Sequence, residues 1–235
     1  IIIVWIVSAS TLIALTGWLL LPPEPVHADG VQVSGLARFQ GLGRLLKNRT
    51  FVFAILALGS VQAAHGFYYG FSAIAWKAQG ISESMTGLLW AFSVVVEIGF
   101  MWIIEPWRKR RGIGALLVLM FGVVAAIVRW TLMAFEPSFF WLWPLQALHA
   151  LTFAATYLAG VEIVEALSPP KDHTSAQTLS SVVSAGVLIG LATALSGQLY
   201  DVFEARGYLA MAAMAAVGGL FALAMRKPVK AALNG

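Results

Sequence analysis

Seven long apolar runs, parted by short polar breaks, organise this chain. They cover 1–21, 50–75, 86–104, 113–135, 139–167, 177–201 and 208–225. A helix needs about 20 residues to cross a bilayer's hydrocarbon core, and each run is close to that length. Breakers fall between the runs at Gly80, Pro106, Gly112, Pro137, Pro169-Pro170 and Gly207. Short breaks make consecutive helices antiparallel neighbours. The first run ends at Pro22-Pro23 and has neither the basic leader nor the short apolar core of a signal peptide. One polar stretch is long, 23–49. Within it Leu36, Phe39, Leu42, Leu45 and Leu46 recur at helical spacing beside Arg38, Arg44, Lys47 and Arg49. That pattern suits a helix lying on the membrane surface, and equally an ordinary linker helix.

Composition turns the apolar pattern into a membrane assignment. The 235 residues are 60% hydrophobic and 11% charged, where a soluble domain carries about 25% charge. The expected fold class is an all-α membrane protein with seven transmembrane helices. Its net charge of +4 is read as loop asymmetry and not as a nucleic-acid patch. Twelve of the fifteen Lys and Arg residues fall in 23–49, in Arg108 to Arg111, at Lys171 and at Arg226, Lys227 and Lys230. The positive-inside rule places these twelve, with the C-terminus, in the cytoplasm. No cysteine is present, which excludes disulfides and thiolate chemistry. Trp76, Trp107, Trp130, Trp141 and Trp143 lie near run ends, where interfacial belts anchor helices. Ser180, Ser184, Gly186, Gly190 and Ala194, and again Ala215 and Gly219, make small-residue faces expected to be packing seams.

The residues most costly to place in lipid carry the chemistry. A charge near the bilayer centre costs at least ~2.5–3.5 kcal/mol, so each marks a functional hypothesis. His65, Glu97, Arg129 and His149 sit on four consecutive runs. Counted at a rise of about 1.5 Å per residue from the same face, His65, Glu97 and His149 lie roughly 15–16 Å deep. Arg129 starts nearer that face, and its long side chain can point inward. All four converge on the level where carriers hold substrate and ions. Glu97 and Arg129 are the natural pair, read either as a proton-coupling unit or as a static ion pair. Gln146 with His149 and Gln62 with His65 form two polar faces at i, i+3. Tyr68 and Tyr69 continue the second face, and Trp90 and Phe92 are placed to wall a cavity for an aromatic or sugar-like ligand. Glu162 and Glu165 lie at the inner end of their run, where interfacial solvation or an intracellular gate accounts for them. No HExxH, GxSxG or Walker loop is present, so those enzyme chemistries lack support. No cofactor or metal is expected.

Several stretches together resemble the 3-phenylpropionate permease family of the major facilitator superfamily, close to the nucleoside and oligosaccharide proton symporters. They are HGFYYGFSAIAWKAQGIS at 65–82, GLLWAFSVVVE at 87–97, Arg129-Trp130, QALHALTF at 146–153 and SGQLYD at 196–201. EPWRKRRG at 105–112 is similar to the basic loop between helices eight and nine of that superfamily. The resemblance implies that the seven spans are helices six to twelve of a twelve-helix carrier. It then implies a last N-terminal-half helix at 1–22, a central cytoplasmic loop at 23–49, a six-helix bundle at 50–226 and a cytoplasmic tail at 227–235. Helices one to five would be missing partners, which would explain a chain that opens at Ile1 inside an apolar run. Lactose permease, more distant, places Glu, Arg and His on helices eight, nine and ten, where Glu97, Arg129 and His149 stand here. Its proton-carrying Glu three residues after that His corresponds to Thr152, which leaves Glu97 as the candidate carrier.

The expected function is therefore proton-coupled uptake of a small organic anion by alternating access, at a bacterial inner membrane. An aromatic acid such as 3-phenylpropionate is the leading candidate. Glu97 and Arg129 would couple protons, and His149, His65, Gln62, Gln146, Tyr68, Tyr69 and Trp90 would bind substrate. A proton symporter for sugars or nucleosides is the alternative within transport, and a truncated, non-transporting membrane scaffold is the alternative outside it.

Overall fold

The structure is a computed structural model that describes residues 2–20 and 35–233, and every regular element among them is helical. The chain divides into two compact units, 1–34 and 35–235. The first contributes α1 (Ile2–Leu20), one 19-residue apolar helix. The stop at Pro22-Pro23 and the polar connection through residue 34 lie outside the described residues.

The second unit begins with α2 (Gly35–Lys47), the helix expected inside the long polar stretch. Its Leu45 is buried and its Arg44 reaches Asp172 at 3.0 Å, so one edge of α2 covers protein. Asn48 separates α2 from α3 (Arg49–Ala63) and caps it, its side-chain oxygen accepting from the backbone N–H groups of Thr50 and Phe51. A turn at 64–65 leads into α4 (Gly66–Ala78). Ser82 caps α5 (Glu83–Gly99), which runs through a π-turn at Phe100–Ile104 into the short α6 (Glu105–Arg110). Next come α7 (Ala115–Met133) and α8 (Phe139–Ala147), the latter carrying an internal Pro144. A second π-turn, Ala150–Ala155, joins α8 to α9 (Thr156–Ala166). A third, Val182–Leu188, joins α10 (His173–Ser181) to α11 (Ile189–Phe203). Last is α12 (Tyr208–Leu233).

Five stretches among the described residues are long and apolar enough to cross a membrane: Arg49–Ala78, Glu83–Arg110, Ala115–Met133, Phe139–Ala166 and Pro170–Leu233. The last, of 64 residues, holds two of the seven expected runs. Glu204 has a φ of 50° there, and the 3-10 turn Glu204–Gly207 separates α11 from α12. The two helices have different neighbours, α11 packing on α4 and α12 on α3 and α7. The segment beyond residue 226, expected as a tail, continues α12 to Leu233 because Val229 is fully buried and holds it to the bundle.

Two sequence expectations about packing change. Trp76 and Trp130 are not belt anchors; they are 1% and 0% exposed. A span end inside a bundle can face its neighbours, and both indoles do. Trp107 and Trp141 remain exposed, and Trp143 is half-buried. The expected small-residue face on α10–α11 is a seam only in part: a Cβ on Gly59 would stand 3.3 Å from the Ser184 Cα, whereas a Cβ on Gly186 or Gly190 would meet nothing within 4 Å among the described residues. The Ala215–Gly219 step is one: Ala215 is fully buried, and a Cβ on Gly219 would stand 2.8 Å from Val123. Its neighbour Gly218 lets α12 approach α3, where a Cβ would come within 2.9 Å of the Ala57 carbonyl oxygen.

Candidate functional site

The residues expected at mid-span meet where α4, α5, α7 and the α8–α9 rod converge. Arg129 of α7 is the centre and is fully buried. Its Nη1 donates to His149 Nδ1 and to Thr152 Oγ1, both at 3.1 Å, and its Nη2 donates to Gln146 Oε1 at 2.7 Å. The guanidinium carbon lies 4.4 Å from the Trp130 ring centroid and 4.9 Å from that of Tyr68. Aromatic faces favour a cation that lipid and protein would otherwise desolvate. Gln146 passes the network on, its amide nitrogen donating to the Tyr68 hydroxyl at 2.8 Å.

This geometry assigns the imidazole tautomers of the neutral rings. A guanidinium has donors and no acceptor, so His149 Nδ1 must accept from Arg129. The ring proton is then on Nε2, which faces Glu97 Oε2 at 3.3 Å. His65 is arranged in the opposite sense. Its Nδ1 lies 3.0 Å from the Gln62 carbonyl, which only accepts, so Nδ1 carries the proton. Its Nε2, 3.1 Å from Thr152 Oγ1, then accepts from that hydroxyl. Thr152 thus takes one bond from Arg129 and gives one to His65.

The direct Glu97–Arg129 pair expected from sequence is not formed among the described residues. His149 stands between them: Gln146, His149 and Thr152 accept from Nη1 and Nη2 of Arg129, whose Nε has no partner among the described residues, and Glu97 approaches the far side of the imidazole. The result is a line of three groups: guanidinium, neutral imidazole, carboxyl.

Exposure sorts the other candidates. His65 and Gln146 are fully buried, and Tyr68 is nearly so. Gln62 is engaged internally, its amide nitrogen donating to the Phe153 carbonyl at 3.1 Å and to Thr156 Oγ1 at 2.8 Å. Glu97, with a side chain 16% exposed, and Tyr69, 38% exposed, reach the open face. Trp90 stacks on Tyr68 with centroids 5.2 Å apart, and its indole N–H has no partner among the described residues. Phe92 turns instead to Trp143, 5.1 Å away, and does not join that aromatic wall. Sequence reasoning missed Thr152, Thr156 and Trp130 as members of the site. The i, i+3 spacing of Thr152 from His149 was the available signal for the first.

Near one end of the bundle the basic loop is pinned to α9. Arg108 is buried and donates to Glu105 at 2.6 and 2.8 Å, to the Ile113 carbonyl at 2.6 Å and to Glu162. Lys109 adds a contact to Glu162 at 3.3 Å. Glu162 is therefore the second carboxylate of an ion-pair network.

Residues 2–210 match the MFS_1-like family. A curated protein of Escherichia coli (strain K12), called "Probable 3-phenylpropionic acid transporter", is 31% identical over 209 residues. That alignment takes in 88% of this chain and 53% of the relative, in its C-terminal portion. The chain thus spans about half the length of the curated relative it matches. No solved structure matches it. Multiple helices apt to cross a bilayer, a mid-span polar cluster and a family match over most of the chain agree, and the chain belongs to the MFS_1-like family of the major facilitator superfamily.

Proposed function

We propose that this chain forms the C-terminal half, with one further helix, of a secondary active carrier that couples proton entry to uptake of a small organic anion, an aromatic acid such as 3-phenylpropionate. The carrying observation is the Glu97–His149–Arg129 line, in which only the carboxyl end has solvent access. The carboxylate and an organic anion repel when both are charged, by about 4 kcal/mol at 4 Å in an effective dielectric of 20. A proton on Glu97 removes that repulsion and leaves the Arg129 charge uncompensated, so the anion binds. Loss of the proton on the other side restores the repulsion and expels it. His149 holds the carboxyl by its Nε2–H and keeps it in line with Arg129. Arg129 acts through its charge and not by touching substrate, since it is fully buried. Tyr69 and Trp90 supply the aromatic wall beside Glu97, while His65, Gln62, Gln146 and Tyr68 brace the cluster from behind.

The same reading has the chain cross the membrane seven times, with the C-terminus cytoplasmic at a bacterial inner membrane and five further helices of the carrier as its partners. It favours an aromatic acid over a sugar or nucleoside because both glutamine amides are already engaged within the protein. The test is uptake of labelled 3-phenylpropionate into proteoliposomes holding the full-length carrier that contains this chain. Accumulation driven by an acid exterior and abolished by a protonophore is expected. Uptake indifferent to the pH gradient, or seen only with sugars or nucleosides, contradicts the proposal.

A further inference from the structure

At the end of the bundle that carries Arg108 to Arg111, the α6–α7 loop, the first turns of α7 and the last turns of α12 enclose a cleft of about 800 Å³. Four cations line it: Arg108, Lys109, Arg226 and Lys230. The one acid in its lining, Glu162, is already shared by Arg108 and Lys109. Arg226 and Lys230 stand four apart on α12, so they share a face. Both are exposed, and neither has an ion-pair partner among the described residues. The cleft therefore holds two cations that no carboxylate neutralises.

Below these cations the lining is aliphatic, with Leu116, Leu117 and Met120 from α7 and Leu223 from α12. Leu117 and Leu223 are about half exposed. The apolar surface continues along both helices toward mid-span, through exposed Phe121 and Val124 on α7 and Leu220 on α12. A free phosphate would use the charge and leave this groove uncovered. An acidic phospholipid would use both, and basic pockets between membrane helices are a recurrent setting for such headgroups.

We infer that the α7–α12 cleft is a binding site for an anionic glycerophospholipid, its phosphate held between Arg226 and Lys230 and one acyl chain laid along Leu117, Leu223 and Leu220. The site rests on the chain's crossing a bilayer and not on the transport of any substrate.

Native mass spectrometry of the full chain, released from detergent after mixing with equal phosphatidylglycerol and phosphatidylcholine, tests it. The wild-type chain should carry an excess of phosphatidylglycerol adducts. R226Q/K230Q should lose that excess, by about fivefold for each cation removed. K227Q, which removes an adjacent exposed cation outside the cleft, should keep it. Millimolar inorganic phosphate should not displace the lipid. Equal binding of the two lipids, an excess that survives R226Q/K230Q, or displacement by phosphate alone would each overturn the inference. If the double variant fails to fold, R226Q and K230Q singly must each lower the excess, and R226K/K230R must retain it.

Discussion

Arg129 is a buried cation with no carboxylate in contact, and that choice of partners sets what the cluster can do. Three neutral acceptors and two aromatic faces offset its desolvation, so its charge stays available to the next group in line. A lysine is a point charge that cannot serve three acceptors in a fork. R129K should therefore lower stability by about 2–4 kcal/mol, read as a fall in Tm in detergent. An unchanged Tm would mean that the fork is not needed. T152V keeps the shape and deletes the hydroxyl that accepts from Arg129 and faces His65. A loss of about 1–3 kcal/mol follows from leaving those partners unpaired in the interior. Counting helical rise along the sequence was enough to bring His65, Glu97 and His149 to one depth, with Arg129 within reach by its long side chain. It could not show that His149 separates Glu97 from Arg129. Which faces of three helices meet depends on side-chain packing and not on depth.

Helices meet here through small residues, and the sequence pattern alone overstated where. A Cβ on Gly122 would overlap Thr156 Cγ2 and stand 2.9 Å from the Leu151 carbonyl oxygen. A Cβ on Gly190, in an equally suggestive pattern, would meet nothing within 4 Å among the described residues. G122A should cost about 1–3 kcal/mol by overpacking and displace Thr156, the partner of Gln62, whereas G190A should leave the Tm of this chain unchanged. Equal effects of the two would refute the packing account. The difference was illegible in the sequence because a GxxxG face names a capacity for close approach without naming its partner. Tryptophan placement failed for a related reason: Trp130 sits near a span end yet packs against His65 and Tyr208, with centroids 5.1 and 5.7 Å away. The ion-pair network has its own consequence. R108Q leaves Glu105, which is 7% exposed, without its guanidinium, and should destabilise the α6 end by about 3–5 kcal/mol. Faster proteolysis within 105–114 would report it.

At the scale of the whole bundle of 35–233, Arg129 is fully buried while Glu97 and Tyr69 are partly exposed. Under the proposed function, those partly exposed groups are where the rest of a carrier would complete the site, since alternating access rocks two halves about a midplane site. The bilayer setting and the family follow from runs of apolar residues and from a match over most of the chain, both legible early. The proposed coupling is different in kind, because it would depend on which group loses a proton when the site opens. Measuring E97Q in the complete carrier proposed to include this chain, reconstituted in proteoliposomes, addresses that point. E97Q should exchange labelled for unlabelled 3-phenylpropionate across the membrane at equal pH, yet fail to accumulate it against a gradient when the exterior is acidified. Accumulation by E97Q under an acid exterior equal to that of the unaltered carrier would rule out Glu97 as the coupling group.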